Sequence, residues 1–152
     1  MDKERMKCLV QDSQAVSVRF PRIMIAAEKS GGGKTLFTCA LLSLLKEKIQ
    51  EVRAFKCGPD YIDPMFHSRV IGAKSANLDT FFTSPEVTRY LLSENAANCE
   101  IAVMEGVMGY YDGVAGTTTQ ASAYDLASVT DTPVILIVNS KGMSVSLAAY
   151  IK

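Results

Sequence analysis

The sequence has no tryptophan, a single histidine and no surplus of charge: 16 Lys plus Arg are matched by 16 Asp plus Glu. A balanced surface lacks the basic field that captures nucleic acid or anionic lipid, so neither nucleic acid nor membrane is an expected partner. Long apolar runs are missing too. The longest, such as residues 134–138, fall far short of the ~18 residues that suggest a membrane span. The charged start, Asp2, Lys3, Glu4 and Arg5, is followed by no apolar stretch of signal-peptide kind. Four cysteines, Cys8, Cys39, Cys57 and Cys99, form no C-x-x-C pair. That excludes a zinc-site or disulfide framework and reads as reduced thiols in a cytoplasmic protein. What remains is an ordinary globular composition, 48% hydrophobic and 21% charged, in a length suited to one domain with a sizeable core.

Residues 1–20 are polar and aperiodic, and read as an N-terminal extension with a short strand at 15–20; the domain proper is 21–152. Apolar runs at 23–27, 52–55, 101–104 and 134–138 are short and continuous, as strands buried in a parallel sheet are. Helical patterns fill 34–49, 85–95 and 121–130, and another opens near Ser144. Leu41, Leu44, Leu45 and Ile49 form an apolar stripe in the first, while Ser84 and Pro85 supply an N-cap and first-turn residue for the second. Strand alternates with helix, which predicts an α/β fold with a parallel sheet flanked by helices. The chain stops at Lys152 within a helical pattern, so the domain is expected to be truncated at its C-terminus.

The strongest chemical signal is Lys29-Ser30-Gly31-Gly32-Gly33-Lys34-Thr35, between the first strand and first helix. Glycines let the backbone wrap an anion, the helix start points free N–H groups at it, Lys34 adds a point charge and Thr35 offers a hydroxyl to Mg²⁺. This is a phosphate-binding loop and makes the sheet one of P-loop NTPase type, although Glu28 stands where the usual motif begins with glycine. Lys29 holds the position of the lysine by which partition-type ATPases reach the nucleotide of a facing subunit. It reads equally as a solvated loop lysine. The second signal, Lys56-Cys57-Gly58-Pro59-Asp60-Tyr61-Ile62-Asp63-Pro64, follows the second strand and opens on the same side of the sheet. Its carboxylates suit Mg²⁺ or substrate, or an ordinary turn. The third signal is the run 105–113, where Glu105 ends a strand at the place P-loop proteins keep a metal-site acid. Tyr110 and Tyr111 serve packing as readily as substrate contact. The lone His67 reads as a structural hydrogen-bonding residue rather than a catalytic one.

Taken in order and spacing, these three runs resemble the synthetase domain of cobyrinate a,c-diamide synthases; dethiobiotin synthetase and cobyric acid synthase are wider relatives. The resemblance implies an ATP-dependent ligase that amidates the a and c acetate side chains of cobyrinate or a related tetrapyrrole through an acyl phosphate, using ATP and Mg²⁺. It implies that Lys34 and the loop amides hold phosphates, that Thr35, Asp60 and Glu105 surround Mg²⁺, and that Lys56 neutralises the substrate carboxylate or the phosphoryl group in transfer. Tyr61, Ile62, Asp63 and Asp112 match positions near the substrate. The family's glutaminase domain, with its nucleophilic Cys and a His, is expected to be absent from 21–152 and supplied by another domain or subunit. The alternative is a nucleotide-gated dimeric switch of the partition type, a homodimer favoured by Lys29 alone.

Overall fold

The structure is a computed structural model that describes residues 19–152. The strand expected at 15–20 lies largely outside the described residues, and Arg19 and Phe20 are not in a strand. The elements alternate as β1 (Arg22–Ala27), α1 (Lys34–Lys48), β2 (Val52–Cys57), α2 (Ile62–Phe66), a π-helical turn (His67–Ile71), β3 (Lys74–Leu78), α3 (Pro85–Asn95), β4 (Ile101–Glu105), α4 (Ala123–Val129), β5 (Val134–Ile137) and α5 (Ser146–Ile151). The five strands form one sheet in the order β3-β2-β4-β1-β5, every neighbouring pair parallel. The predicted α/β class with a parallel sheet is what the chain adopts.

Both faces of the sheet are covered, which explains the unbroken apolar runs. Side chains alternate along a strand. Met24, Phe55 and Met104 therefore face α3 and α4, where they meet Leu92, Ala123 and Leu126. Ile25, Ala54 and Val103 point the other way and pack with Leu42 of α1. Helix α3 starts as the sequence predicts, with Ser84 Oγ accepting from Val87 N–H and Pro85 in the first turn. Ser122 caps α4 through Asp125 N–H, so that helix begins two residues later than the expected 121.

The sheet has one strand more than the four expected. β3, Lys-Ser-Ala-Asn-Leu, pairs only with β2 among the described residues. An edge strand needs no apolar side chain on an outer flank, so polar residues at half-exposed positions left no apolar run to find. Helix α1 ends at Lys48, with Ile49 extended, and α5 starts at Ser146 rather than Ser144.

In this strand order β1 and β4 are neighbours although the chain leaves β1 for β2 and returns only at β4. Loops from the C-terminal ends of β1, β4 and β2 therefore meet at one rim, where open parallel sheets bind ligands.

Candidate functional site

The phosphate loop lies between β1 and α1. Gly33 sits at the helix N-cap with φ 89, in the left-handed region, where a β-carbon is strained. Gly32 is needed for space instead: a β-carbon there would lie 2.7 Å from Ala27 Cβ. No acidic side chain occupies the first turn of α1 and no side chain caps it, so its N–H groups face the cleft, as in an anion site. Lys34 folds back over the loop, donating from Nζ to the carbonyls of Lys29 at 3.1 Å and Met108 at 2.5 Å. Burial first, and the charge of Lys56 second, pull the Lys34 ammonium below its ordinary range. An incoming polyphosphate would relieve that imbalance.

The second group comes from strand register. Lys56 on β2 and Glu105 on β4 are paired positions of adjacent strands, so their side chains leave the same face side by side. Lys56 Nζ donates to Glu105 Oε1 at 2.8 Å and to Asp63 Oδ2 at 2.6 Å, with Asp60 Oδ2 at 3.8 Å. Burial works to lower the Lys56 pKa, but the hydrogen bonds to Asp63 and Glu105 outweigh it and hold the ammonium above its ordinary value. Thr35 Oγ1 also donates to Glu105 Oε1, at 2.5 Å. Burial alone would raise Glu105, yet the approach of His67, the hydrogen bonds from Lys56 and Thr35 and the Lys56 charge together bring it down to about 2.

That depression has a sign that can be read in acid. A carboxylate held below its ordinary 4.5 contributes stability that is complete above that pH and lost as pH falls through the folded value near 2. Urea denaturation from pH 6 to pH 2 should therefore show a loss below about pH 4.5 that Glu105→Gln makes shallower. Identical pH slopes in the two proteins would show that Glu105 is not the titrating group.

The cleft of about 400 Å³ is lined by Ser30, Gly31, Gly33, Lys34, Thr35, Lys56, Asp60 and Glu105, with Gly106, Val107 and Met108 from the loop after β4. Most of the residues singled out in the sequence thus converge. Four lie elsewhere. Lys29 is 62% exposed and pairs with its own neighbour, Glu28 Oε1, at 3.5 Å. Tyr61 and Ile62 stand exposed at the start of α2, and Asp112 is exposed, its Oδ2 accepting from Gly109 N–H at 2.9 Å. Asp63 is the partner of Lys56. Asp60 Oδ1 accepts from Ile62 N–H at 2.8 Å, leaving Oδ2 toward the lysine.

Two residues that frame this site gave no functional signal in sequence. Asn77 on β3 pairs in register with Lys56 and donates to the carbonyls of Gly58 at 2.8 Å and Asp60 at 2.6 Å, fixing the loop that carries Asp60. Finding it required knowing that β3 exists. His67 is fully buried, with Nε2 3.5 Å from Glu105 Oε2.

The loop after β4 is pressed against the phosphate loop. Gly106 N–H donates to Ile25 O and Tyr110 N–H to Ala27 O, both at 2.8 Å. A β-carbon on Gly106 would come within 3.0 Å of Ala123 Cβ, and one on Gly109 would collide with Asp112 and the carbonyl of Glu28.

No three His, Cys, Asp or Glu side chains among the described residues gather closely enough to hold a metal by themselves. The donors facing the cleft are oxygens: the Thr35 hydroxyl and the Glu105 and Asp60 carboxylates. This set fits Mg²⁺, which binds through one or two carboxylates and takes remaining ligands from water and phosphate. Cys39, Cys57 and Cys99 are free thiols. Burial raises all three, Cys57 to about 12, so none is an activated nucleophile.

Residues 23–142 match the CobQ/CobB/MinD/ParA nucleotide binding domain. The chain belongs to this family. Among curated proteins, it is 46% identical over 135 residues to a cobyrinate a,c-diamide synthase of Thermoplasma volcanium, covering 89% of this chain and 30% of that protein. It is 46% identical over 127 residues to the enzyme of the same name from Gloeobacter violaceus, covering 84% of this chain and 28% of that one. A hydrogenobyrinate a,c-diamide synthase of Streptomyces coelicolor is 42% identical over 131 residues, 86% of this chain and 27% of that protein. The chain thus spans under a third of the length of these relatives. The resemblance read from the three sequence runs is borne out. No helix among the described residues is long and apolar enough to cross a membrane.

Proposed function

We propose that residues 21–152 are the synthetase part of a glutamine-dependent a,c-diamide synthase, an ATP- and Mg²⁺-dependent ligase that amidates the a and c acetates of cobyrinate or a related tetrapyrrole. The observation that carries this is the buried Lys56, held between Glu105 and Asp63 on the rim of the phosphate-loop cleft. A carboxylate resists attack by ammonia because its leaving group would be oxide. Its oxygen instead attacks the terminal phosphorus, ADP leaves, and ammonia then displaces phosphate from the acyl phosphate to give the amide.

The residues divide this work. Lys34 and the N–H groups at the start of α1 bind the terminal phosphates and orient them for in-line transfer. Lys56 lies where it can bring the substrate carboxylate toward the phosphoryl group and offset their mutual repulsion, a contribution made by positioning and charge. Mg²⁺, held by Thr35 and Glu105 with Asp60 nearby, would neutralise charge on the phosphates. Tyr61, Ile62 and Asp112 form an outer rim for the tetrapyrrole side chains. Glutaminase action belongs to another domain or subunit, in keeping with the raised thiols of the described cysteines.

The partition-switch reading rests on Lys29. Its pairing with Glu28 of its own chain, and the Lys56 cluster for which a switch has no use, favour the ligase.

The purified chain should form amide product, seen by mass spectrometry, with ATP, Mg²⁺, ammonium chloride and a cobyrinate-type tetrapyrrole, and none when glutamine replaces ammonium. Lys34→Ala should remove calorimetrically measurable Mg-ATP binding and all product. Undiminished nucleotide affinity in that variant, or glutamine-supported product from the chain alone, would overturn the assignment.

A further inference from the structure

We propose that His67 is a positioning residue for Glu105: it holds one carboxylate oxygen so that the other stays directed at Thr35 and the metal–nucleotide. The inference rests on the Mg-ATP site proposed above.

Three observations carry it. The two oxygens of Glu105 are employed differently: Oε1 accepts from both Thr35 and Lys56, whereas Oε2 has no hydrogen-bond partner among the described residues. His67 Nε2 lies 3.5 Å from that lone oxygen. His67 is itself fully buried, and neither of its ring nitrogens has a hydrogen-bond partner among the described residues. Finally, the backbone that carries the ring is held in place: His67 opens the π-helical turn after α2, and its carbonyl accepts from Ala73 N–H at 2.9 Å. Such turns recur at functional sites.

A carboxylate gripped by one oxygen can still tilt about its terminal bond, and a donor on the second oxygen fixes its plane. Carboxylates that ligate metals are commonly oriented by hydrogen bonds of this kind. The His67–Glu105 separation is slightly long for such a bond, as contacts at free active sites often are before the ligand arrives. A packing role alone does not account for the histidine. An apolar side chain would fill the space without burying two nitrogens that find no partner.

The test is calorimetry of ATP binding to the whole chain, with Mg²⁺ and with EDTA, for the wild type, His67→Leu and His67→Gln, each also followed by thermal denaturation. His67→Leu should keep the metal-free affinity and lose ~10- to 100-fold of the magnesium-dependent gain. His67→Gln, whose amide places an N–H near the Nε2 position, should recover most of it. Equal losses with and without Mg²⁺, an unaffected His67→Leu, or a His67→Gln no better than His67→Leu would overturn the proposal. If His67→Leu does not fold, His67→Asn takes its place, since its shorter amide reaches only the Nδ1 position and should lose the gain that His67→Gln keeps. A wild type that shows the magnesium gain but makes no amide would sink the ligase reading and leave His67 in its role. A wild type without the gain would sink the His67 inference whatever product forms.

Discussion

Lys56→Met is expected to destabilise the protein by about 3–5 kcal/mol and to abolish amidation. The methionine keeps much of the length and apolar stem of lysine but removes the cation that Asp63 and Glu105 share. Glu105 is completely shielded from solvent, so the uncompensated charge cannot turn to water. For a domain of this size the loss corresponds to a fall in melting temperature on the order of 10–20 °C. Adding Glu105→Gln to Lys56→Met should restore part of the stability, because the orphaned charge is then gone, while activity stays lost. Thermal denaturation of the two single variants and the double variant measures this coupling. A Lys56→Met protein as stable as the wild type would mean that the cluster is solvated in solution and that the lysine is not its keystone.

The second large effect is on rate. Glu105→Gln should lower ammonia-dependent turnover by ~10² to 10³ while changing nucleotide affinity much less, as expected when a preorganised charge counts most during transfer. Asp60→Asn should follow the same pattern more weakly, because Asp60 is half-exposed and its Oδ1 accepts from backbone N–H groups that an amide oxygen can also satisfy. Steady-state turnover beside calorimetric affinity separates the two quantities. Near-normal turnover in either variant would make that carboxylate structural, and equal loss of affinity and rate would move its role to ground-state binding.

The legible parts of this protein were those written locally. The glycine run, the lysine after it and the apolar strands on either side carry their meaning within a few residues, and β1, β2, β4, β5 and the phosphate loop stand where sequence periodicity put them. Lys56, Asp60 and Glu105 were also legible as residue types beside strand ends, and the structure brings all three to one cleft. That Lys56 and Glu105 touch was not legible. Their contact depends on β2 and β4 being neighbours, a non-local pairing that no local pattern encodes. β3 escaped because an edge strand of polar residues has no hydrophobic period, and Asn77 was hidden with it. His67 was placed in a structural hydrogen-bonding role. Its distance from Glu105, 38 residues further along the chain, is a property of how the turn after α2 folds beneath the sheet rim.

The close seating of the loop after β4 also limits how this sequence can drift. Gly106 and Gly109 stand where the backbone of one loop rests against β1, α4 and the phosphate loop, so a single added methyl group at either position pushes on the nucleotide-facing surface itself. Tyr111, beyond them, is exposed, at a kind of position where size and polarity can change without moving a main chain. Variation in substrate preference among descendants of this chain therefore has room at the second kind of position and almost none at the first. A loop of this build can alter what it touches while keeping the path by which it touches it.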